Sequence, residues 1–565
     1  MSVRALAVGA ALAGVAFAGG LVCGGLHVST AERSAERFAT AWTRGDFAAM
    51  YSELSPAEHE RVRRGAFAAA YQDALDTATA RRVVTGSPAE DGDGAYRVPV
   101  RLDTRVFGAI HGTVRIPVGP EGIDWSPHLV FPGLRKGERL TRTTRLPPRA
   151  TLLARDKTPL AQGADRSSPV GALAGSIAGS LGPAPAERRA DLDELGVPPG
   201  TAVGVSGLER IFDVRLLGRP GGELRAGERV VARAEPRAAD PVRTTISTHV
   251  QEAAVAALGP RLGGIVAIDP RSGAVLAAAG IGFSGLQPPG STFKIITLTA
   301  ALEAKLTSPS REYPVQTAAT LEGVELENAN GESCGGSLVH SFAESCNSVF
   351  APLGAKLGAR RLVAAAERFG FNREPGIPGA ATSAIPAAPE IGDDLAVGSS
   401  AIGQGRVQAT ALQMAMVAAA IGRRGQRPRP TLDFDAAREA PPTERATDER
   451  TARTVERMML EVVRSGTGTA AAIPGVKVAG KTGTAELRTT TRCEPDPMNP
   501  ESCPPQPEND PTDTDAWFAA YAPAGEGRPR VAVGVMLVAS GAGGDTAAPA
   551  ARQLLAAALR ATSRP

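Results

Sequence analysis

Residues 5–26 form an unbroken run of 22 residues without a single charge, ALAVGAALAGVAFAGGLVCGGL. At a rise of about 1.5 Å per residue, a helix of this length spans the hydrocarbon core of a bilayer. Arg4 precedes the run, and Arg33 and Arg37 follow it. The segment predicts a cytoplasmic stub and single-pass membrane anchor over residues 1–28, with the bulk of the chain outside the cytoplasm.

Two other interpretations of this segment stay open. Ala16-Phe17-Ala18 fits a signal-peptidase site, which would give a secreted protein. Cys23 fits a lipidation site less well, because the preceding Val22 is bulky. The apolar run is longer than the apolar part of a typical signal peptide, which favours the anchor.

The composition indicates several folded domains. A chain of 565 residues is too long for one hydrophobic core. With 43% apolar and 21% charged residues it is not a fully disordered chain. A net charge of +3 and an aromatic content of 4% provide neither the basic surface nor the stacking rings that nucleic-acid binding requires, so we expect no nucleic-acid partner.

Three regions follow the anchor. Residues 29–145 begin with helical spacing that places Ala35, Phe38, Ala39 and Trp42 on one face, and continue with alternating strand-like runs, which predicts a small α+β domain. Residues 146–240 are rich in Pro, Gly and Arg and are typical of a linking region. Residues 241–565 carry strand patterns at 264–268, 274–278, 516–522 and 531–538 and a helical pattern at 547–560, so we expect a sheet built from both ends of this region and flanked by helices.

Four cysteines follow the apolar segment: Cys334, Cys346, Cys493 and Cys503. An even number in an exported region indicates disulfides, and the spacings suit no zinc site. Three connectivities are open, and pairing within each neighbouring couple is the simplest. The second couple lies in a Pro-, Asp- and Glu-rich insertion, residues 486–514. We expect no metal and no cofactor.

Lysine is rare in this chain, with seven residues, so a lysine inside a motif is informative. Lys294 follows Ser291 by three residues, directly after the chain break Pro289-Gly290 and at the start of a helix-compatible run. Positions i and i+3 share a helix face, so the amine can reach the hydroxyl and activate it as a nucleophile. Alone, this motif is weak, since it arises by chance about 0.4 times in such a chain and also fits a helix cap beside a surface lysine.

Two further motifs strengthen that hypothesis. Ser345-Cys346-Asn347 offers a hydroxyl that can relay a proton and an amide that can hold a carbonyl or orient Lys294. Lys481-Thr482-Gly483-Thr484 combines a positive charge, two hydroxyls that suit a carboxylate, and a glycine that lets the backbone approach a ligand. Each fits an ordinary loop or strand end by itself, but the three together in this order have a chance probability well below about 1%.

The three motifs resemble those of class B penicillin-binding proteins, the monofunctional peptidoglycan D,D-transpeptidases. Further segments are similar to that family, so the resemblance covers about residues 145–560: 148–156, 207–209, 217–218, 403–405, 411–415 and 464–470. Ala150 and Ala154 stand where the family pattern has Gly and Asp. Residues 38–51, FATAWTRGDFAAMY, resemble the opening of NTF2-like domains, a domain order similar to that of low-affinity, antibiotic-resistance-type members.

The resemblance implies a multidomain fold. An NTF2-like α+β domain is expected at 29–145 and an extended pedestal, or dimerisation-type, domain at 146–240. An α/β serine transpeptidase (β-lactamase-like) domain with a central antiparallel sheet flanked by helices is expected at 241–565. The family also implies a location at the cell membrane with the catalytic domain extracytoplasmic, and cell-wall synthesis proteins as partners.

The resemblance also implies the chemistry. Ser291 would attack the D-Ala-D-Ala carbonyl of a pentapeptide stem, Lys294 would take its proton, and Ser345 would pass a proton to the leaving amine. Asn347 would hold the peptide, and Lys481 would adjust the electrostatic field of the site. Thr482, Gly483 and Thr484 would bind the terminal carboxylate. β-Lactams would acylate Ser291. Lys294 must then be neutral, so burial and the charge of Lys481 must lower its pKa by about three units.

Other classes of protein fit less well. Residues 475–482 match the P-loop pattern literally, but the middle residues of this stretch are apolar and strand-like, and Gly483 follows where a helix should begin. A β-lactamase or β-lactam sensor would share the three motifs but usually lacks the two preceding domains. A non-catalytic cell-wall scaffold stays open, although every motif residue is present.

Overall fold

The computed structural model describes residues 29–439, 443–486, 514–525 and 528–561. They form two compact units: residues 29–144, 194–196 and 221–235 make the first, and the other described residues make the second. The predicted anchor, its alternatives at residues 16–18 and Cys23, and the Cys493–Cys503 couple lie outside the described residues. No helix within the described ranges is long and apolar enough to cross a membrane. The domain boundaries given above stay predictions.

The first unit opens with helices and continues with strands, as the pattern predicts. Ser29 caps the first helix by accepting the Glu32 N–H, and Gly45, at φ 69°, ends it. The residues predicted to share one face are all buried. The elements are α1 Thr30–Arg44, α2 Phe47–Ser52, α3 Pro56–Arg61, α4 Arg64–Thr77, β1 Ala80–Thr85, β2 Ala89–Glu90, β3 Ala95–Thr104, β4 Ala109–Gly119, β5 Gly122–Ile123 and β6 Leu140–Arg145.

The sheet of the first unit has the order β1-β3-β4-β5, with β2 on the free part of β3. In β3, buried and exposed residues alternate, so one face of the sheet packs on the helices and the other faces solvent. Aromatic rings fill the space between the helices and this sheet, among them Phe38, Trp42, Phe67, Tyr71 and Trp125.

Residues 145–245 form short elements: β7 Leu152–Leu153, β8 Pro159–Ala161, α5 Gly171–Ala178, β9 Leu181–Gly182, α6 Arg189–Glu194, β10 Val203–Gly204, α7 Gly207–Ile211, α8 Asp213–Leu217, β11 Gly221–Ala226, β12 Arg229–Ala234 and β13 Val242–Arg243. The hairpin β11–β12 pairs with β6 and belongs to the first unit. Of the family-like segments, 148–156 meets 207–209: Arg149 forms ion pairs of 2.7 Å with the buried carboxylates of Glu209 and Asp213. These pairs join chain segments about 60 residues apart, which explains why local patterns in this region are weak.

The rest of the second unit contains α9 Thr248–Leu258, β14 Gly263–Ile268, β15 Val275–Gly280, α10 Lys294–Glu303, β16 Glu312–Gln316, β17 Ala318–Leu321, β18 Val324–Glu327, β19 Cys334–Ser337, α11 Leu338–Ala343, α12 Asn347–Leu357, α13 Ala359–Arg368, α14 Ala388–Ile391, α15 Asp394–Ala401, α16 Ala411–Gly422, β20 Gln426–Pro428, α17 Phe434–Arg438, β21 Thr443–Arg445, α18 Glu449–Arg464, β22 Ala479–Glu486, β23 Thr514–Ala522, β24 Val531–Leu537 and α19 Ala548–Ala561. Its main sheet is antiparallel, in the order β15-β14-β24-β23-β22. As predicted, the sheet joins strands from both ends of the region and lies between helices.

Successive residues of one strand belong to two different hydrophobic clusters. In β14, Ile265 and Ala267 pack with α9 and α19, whereas Val266 and Ile268 pack on the side of α16. Every residue of α16 is buried, and all are apolar except Gln413, whose side-chain N–H donates to the Phe369 carbonyl at 2.8 Å. The sheet is therefore covered on both faces, and β22, an edge strand among those described, is where the three motifs meet.

Candidate active site

Ser291 lies in a 3-10 turn, Gly290–Phe293, that leads directly into α10. Two buried neighbours fix this turn. The Thr292 hydroxyl donates to the Pro289 carbonyl at 2.6 Å, and the Phe293 ring meets Phe371 edge-on at 5.3 Å. Ser291 itself is half-buried, whereas Thr292 and Phe293 after it are fully buried.

Lys294, the first residue of α10, is completely buried. Its Nζ lies 2.6 Å from the Ser345 carbonyl oxygen, 2.7 Å from Asn347 Oδ1 and 3.3 Å from Ser345 Oγ. Carbonyl and amide oxygens only accept hydrogen bonds, so the two shorter contacts use both N–H groups of a neutral amine. Its lone pair is left for a hydroxyl. Among the hydrogen bonds of the described residues, none joins it to Ser291 Oγ.

Ser345 links the two motif lysines. Lys481 Nζ donates to Ser345 Oγ at 2.8 Å, and Lys294 Nζ is within hydrogen-bond distance of the same oxygen at 3.3 Å. Ser345 adopts φ 66°, a left-handed conformation that costs a non-glycine residue about 1 kcal/mol or more. The strain is consistent with a residue held in place for its side chain.

Asn347 is held at both ends of its amide. Its Nδ2 donates to the Glu327 carbonyl at 2.7 Å, which fixes Oδ1 toward Lys294. Cys346, between the two polar motif residues, is joined by a disulfide to Cys334 in β19. Closing a loop of this length stabilises a fold by about 3 kcal/mol in the chain-entropy model. The bridge therefore restrains the backbone from which Ser345 and Asn347 project.

The third motif lies on β22, with Lys481 buried and opposite Ala519 of β23. A Cβ at Gly483 would lie 2.7 Å from the Pro289 carbonyl oxygen and 3.0 Å from Thr292 Cγ2. Only glycine permits so close an approach, so this residue lets β22 pack directly on the Ser291 turn. Thr482 is buried beside Lys481, and Thr484, half-buried, accepts a 3.4 Å hydrogen bond from the Gly543 N–H.

Burial lowers the pKa of both lysines. Desolvation holds the pKa of Lys294 well below its usual 10.5, and the nearby charge of Lys481 lowers it further. Burial lowers the pKa of Lys481 to about 7, against the opposing effect of Glu344. Aromatic rings cover both amines, with Lys294 Nζ 5.6 Å from the Phe350 ring and Lys481 Nζ 5.6 Å from the Phe342 ring. At neutral pH the arrangement favours a neutral Lys294 beside a partly protonated Lys481.

The structure thus brings Lys294, Ser345, Asn347, Lys481 and Thr482 into one hydrogen-bonded network. The Ser291 turn, Gly483 and Thr484 lie against it.

Sequence reasoning missed the two aromatic rings, as well as Asn328, whose side-chain oxygen accepts the Ser348 N–H at 2.9 Å beneath the second motif. It also gave no role to Thr467, whose hydroxyl lies 2.6 Å from that of Thr482. The signal for Thr467 was its position between two glycines in the family-like segment 464–470.

Two buried lysines that meet at the Ser345 hydroxyl beside the Ser291 turn, on a helix-covered antiparallel sheet, are typical of serine acyl-transfer enzymes. Residues 263–556 match the family model described as the penicillin-binding protein transpeptidase domain, and residues 30–138 match that of the NTF2-like N-terminal transpeptidase domain. The chain belongs to the class B penicillin-binding proteins that carry an NTF2-like N-terminal domain.

The alignments with two curated relatives cover most of the length of each relative. The peptidoglycan D,D-transpeptidase PbpA of Mycolicibacterium smegmatis is 33% identical over 425 residues, which are 63% of this chain and 80% of the relative. PbpA of Mycobacterium tuberculosis is 32% identical over 415 residues, 62% of this chain and 77% of that protein.

Solved structures agree with this relationship. The crystal structure of PBPA from Mycobacterium tuberculosis aligns with a TM-score of 0.55 at 27% identity, covering 73% of this chain and 99% of that one. The D,D-transpeptidase domain of a peptidoglycan glycosyltransferase from Eggerthella lenta gives 0.57 at 28% identity, covering 74% and 99%. The Mycobacterium tuberculosis protein has also been solved as a ceftriaxone acyl-enzyme complex.

Proposed function

We propose that this penicillin-binding protein, a serine-type peptidoglycan D,D-transpeptidase, uses Ser291 as the residue that becomes acylated. The observation that supports this assignment is the pair of buried lysines that meet at Ser345 Oγ beside the Ser291 turn. A neutral Lys294 can accept a proton from a serine, and a protonated Lys481 offers positive charge to an anionic substrate.

The first half-reaction forms an ester. Ser291 Oγ attacks the carbonyl carbon between the two D-Ala residues of a pentapeptide stem, and its proton passes to Lys294. The N–H groups of Ser291 and Thr484 stabilise the oxyanion. The C–N bond then breaks, and the leaving D-Ala amine receives a proton through Ser345.

The second half-reaction forms the cross-link. A neutral amine of a neighbouring stem attacks the ester carbonyl, the ester C–O bond breaks, and the proton lost by the amine returns to Ser291 Oγ through Lys294. During both steps Asn347 holds the peptide, and Thr482 and Thr484 bind the terminal carboxylate of the donor. A β-lactam enters the first step and forms the same type of ester.

The location is also a proposal. The uncharged residues 5–26 support a single-pass anchor that places the catalytic unit outside the cytoplasm, where stems and cell-wall synthesis proteins would be its partners. Protease treatment of intact spheroplasts should degrade residues beyond 28; full protection would contradict this topology.

Labelling of the purified full chain with a fluorescent penicillin tests the proposed function. We expect one stable adduct per chain, mapped by peptide mass spectrometry to the peptide that contains Ser291. With a stem-peptide donor and a D-amino acid acceptor, D-Ala should be released and the exchanged peptide formed. An adduct on another residue would refute the assignment, and rapid penicillin turnover without an adduct would indicate a β-lactamase.

Gly483→Ala should slow acylation by about 10- to 100-fold without unfolding the protein. The new Cβ would lie 2.7 Å from the Pro289 carbonyl oxygen, so β22 and the Ser291 turn must separate by several tenths of an ångström, and catalysis is sensitive to such shifts. The second-order rate constant for penicillin acylation measures the effect.

Gly475→Ala is the control for loss of stability alone. Gly475 has φ 72°, so an alanine there is strained, but its added Cβ would meet no atom within 4 Å. This variant should lose some stability and keep its acylation rate. An unchanged rate in Gly483→Ala would show that the contact between β22 and the turn is not needed.

The acylation rate should depend on pH as a bell-shaped curve. On the acid side Lys294 gains a proton and cannot act as a base, and on the alkaline side Lys481 loses its charge near its pKa of about 7. Lys481→Arg, whose guanidinium stays charged, should move the alkaline limb upward by more than about two pH units. If the alkaline limb stays in place in this variant, it belongs to another group.

A further inference from the structure

Thr467 lies in the segment that follows α18, between Gly466 and Gly468. Its hydroxyl oxygen is 2.6 Å from Thr482 Oγ1 and 3.2 Å from the Ala343 carbonyl oxygen, and its backbone N–H donates to the same carbonyl at 3.1 Å. Thr467 therefore connects the third motif with the end of α11, two residues before Ser345.

The approach of this segment to α11 depends on Gly466. A Cβ at that position would lie 2.4 Å from the Ala343 carbonyl oxygen, so no other residue lets the segment come so close. The contact that places Thr467 against Thr482 is thus a tight feature of the fold.

Hydrogen-bond direction decides what Thr482 can offer a ligand. If the Thr467 hydroxyl donates to Ala343, Thr482 must donate to Thr467 and has no proton for the cleft. If Thr467 donates to Thr482 instead, the Ala343 carbonyl keeps its bond from the Thr467 N–H and stays satisfied. The exchange of partners leaves no buried carbonyl without a donor.

Lys481 adds a second constraint. Its Nζ lies 3.4 Å from Thr482 Oγ1. The protonated amine has no lone pair, so in that state it donates to Thr482 and cannot accept. With Lys481 and Thr467 both donating to the one oxygen, both of its lone pairs are occupied. The proton of Thr482 is then its only free hydrogen-bonding group, which suits an acceptor such as a carboxylate and excludes a donor.

We propose that Thr467 is a positioning residue that makes Thr482 a hydrogen-bond donor and thereby sets the preference of the site for a ligand with a free carboxylate. The proposal rests on the assignment of Thr482 to carboxylate binding. Thr467 touches no reacting atom, and its effect reaches the ligand only through Thr482.

The test compares Thr467→Val, which keeps the shape but loses the hydroxyl, with Thr467→Ser, which keeps the hydroxyl. Acylation rates are measured in the full chain with a penicillin that has its free carboxylate and with the methyl ester of the same penicillin. We expect Thr467→Val to slow acylation by the acid about 10- to 100-fold and by the ester less than about twofold, since one hydrogen bond to a charged group is weakened. Thr467→Ser should restore the acid rate.

Thr469→Val is the matched control, because Thr469 is exposed on the same segment. Its rates should equal those of the unmodified protein with both compounds. An equal loss with acid and ester in Thr467→Val would show a structural role only, and no loss with either would exclude the positioning role. Failure of the unmodified protein to form any adduct would instead refute the proposed function, so the two failures are distinguishable.

Discussion

Ser291→Ala is expected to reduce penicillin acylation by at least about 10⁴-fold, to an undetectable level on the time scale of labelling. The substitution removes the oxygen that would form the ester. Among the hydrogen bonds of the described residues none involves Ser291 Oγ, so the variant should unfold within about 2 °C of the unmodified protein. Fluorescent labelling and intact-protein mass spectrometry measure the first effect, and thermal unfolding measures the second.

Ser272→Ala provides the matched control, because Ser272 lies in the turn between β14 and β15. It should label at the unmodified rate. A Ser291→Ala protein that still forms an adduct, mapped to another serine, would overturn the assignment of the nucleophile. If Ser291→Ala loses labelling and its unfolding temperature also falls strongly, misfolding explains the lost labelling. The role of Ser291 is then decided by the position of the penicillin adduct in the unmodified protein.

Lys294→Met should slow acylation by about 10²- to 10⁴-fold, because the methionine fills the site but has no lone pair to accept the serine proton. It also leaves the Ser345 carbonyl and Asn347 Oδ1 without the donor that they have now. Both residues are half-buried, so the cost is at most about 1–3 kcal/mol for each acceptor. Lys305→Met, at an exposed position in the turn that follows α10, should leave both rate and stability unchanged.

The same variant tests the buried amine through stability. Because the pKa of folded Lys294 is well below its unfolded value, the unfolded chain holds a proton that the folded chain lacks over the pH range between them. The free energy of unfolding therefore rises with pH in that range. Lys294→Met should lower this slope; an identical slope would mean that Lys294 is not held neutral by the fold.

The hydrogen-bonded network around Lys294 and Lys481 was accessible from the sequence because each member belongs to a short local motif. Ser291 and Lys294 share one turn, and Ser345 and Asn347 flank one residue, so their types and spacing carry the information. The family resemblance also implied that Lys294 and Lys481 share a cleft, since burial and the charge of Lys481 are the two available causes of a lowered Lys294 pKa. The strands 264–268, 516–522 and 531–538 were recognisable from their continuous apolar runs.

Thr467 and the two aromatic rings could not be predicted in this way. Their roles depend on contacts between segments that are distant in sequence. A phenylalanine carries no local sign of such a contact, and the glycines on both sides of Thr467 do not identify the residue that it contacts. The hairpin β11–β12 shows the same limit. Its strand pattern is local, but its pairing with β6, about 80 residues earlier, depends on tertiary structure.

The pairing of β14 with β24 has a consequence for biosynthesis. Ile265 of β14 lies opposite Val535, a residue that the ribosome adds 270 positions later. At a synthesis rate of about 5–20 residues per second, roughly 15–55 s pass between the synthesis of β14 and that of β24. During this time one edge of β14 is unpaired and can form hydrogen bonds with a non-native strand. Before β23 and β24 are synthesised, β22 cannot pair with the sheet, so Lys481 is not held beside Ser345. A nascent or prematurely terminated chain should therefore be inert toward penicillin, and the enzyme becomes competent only when its synthesis is almost finished.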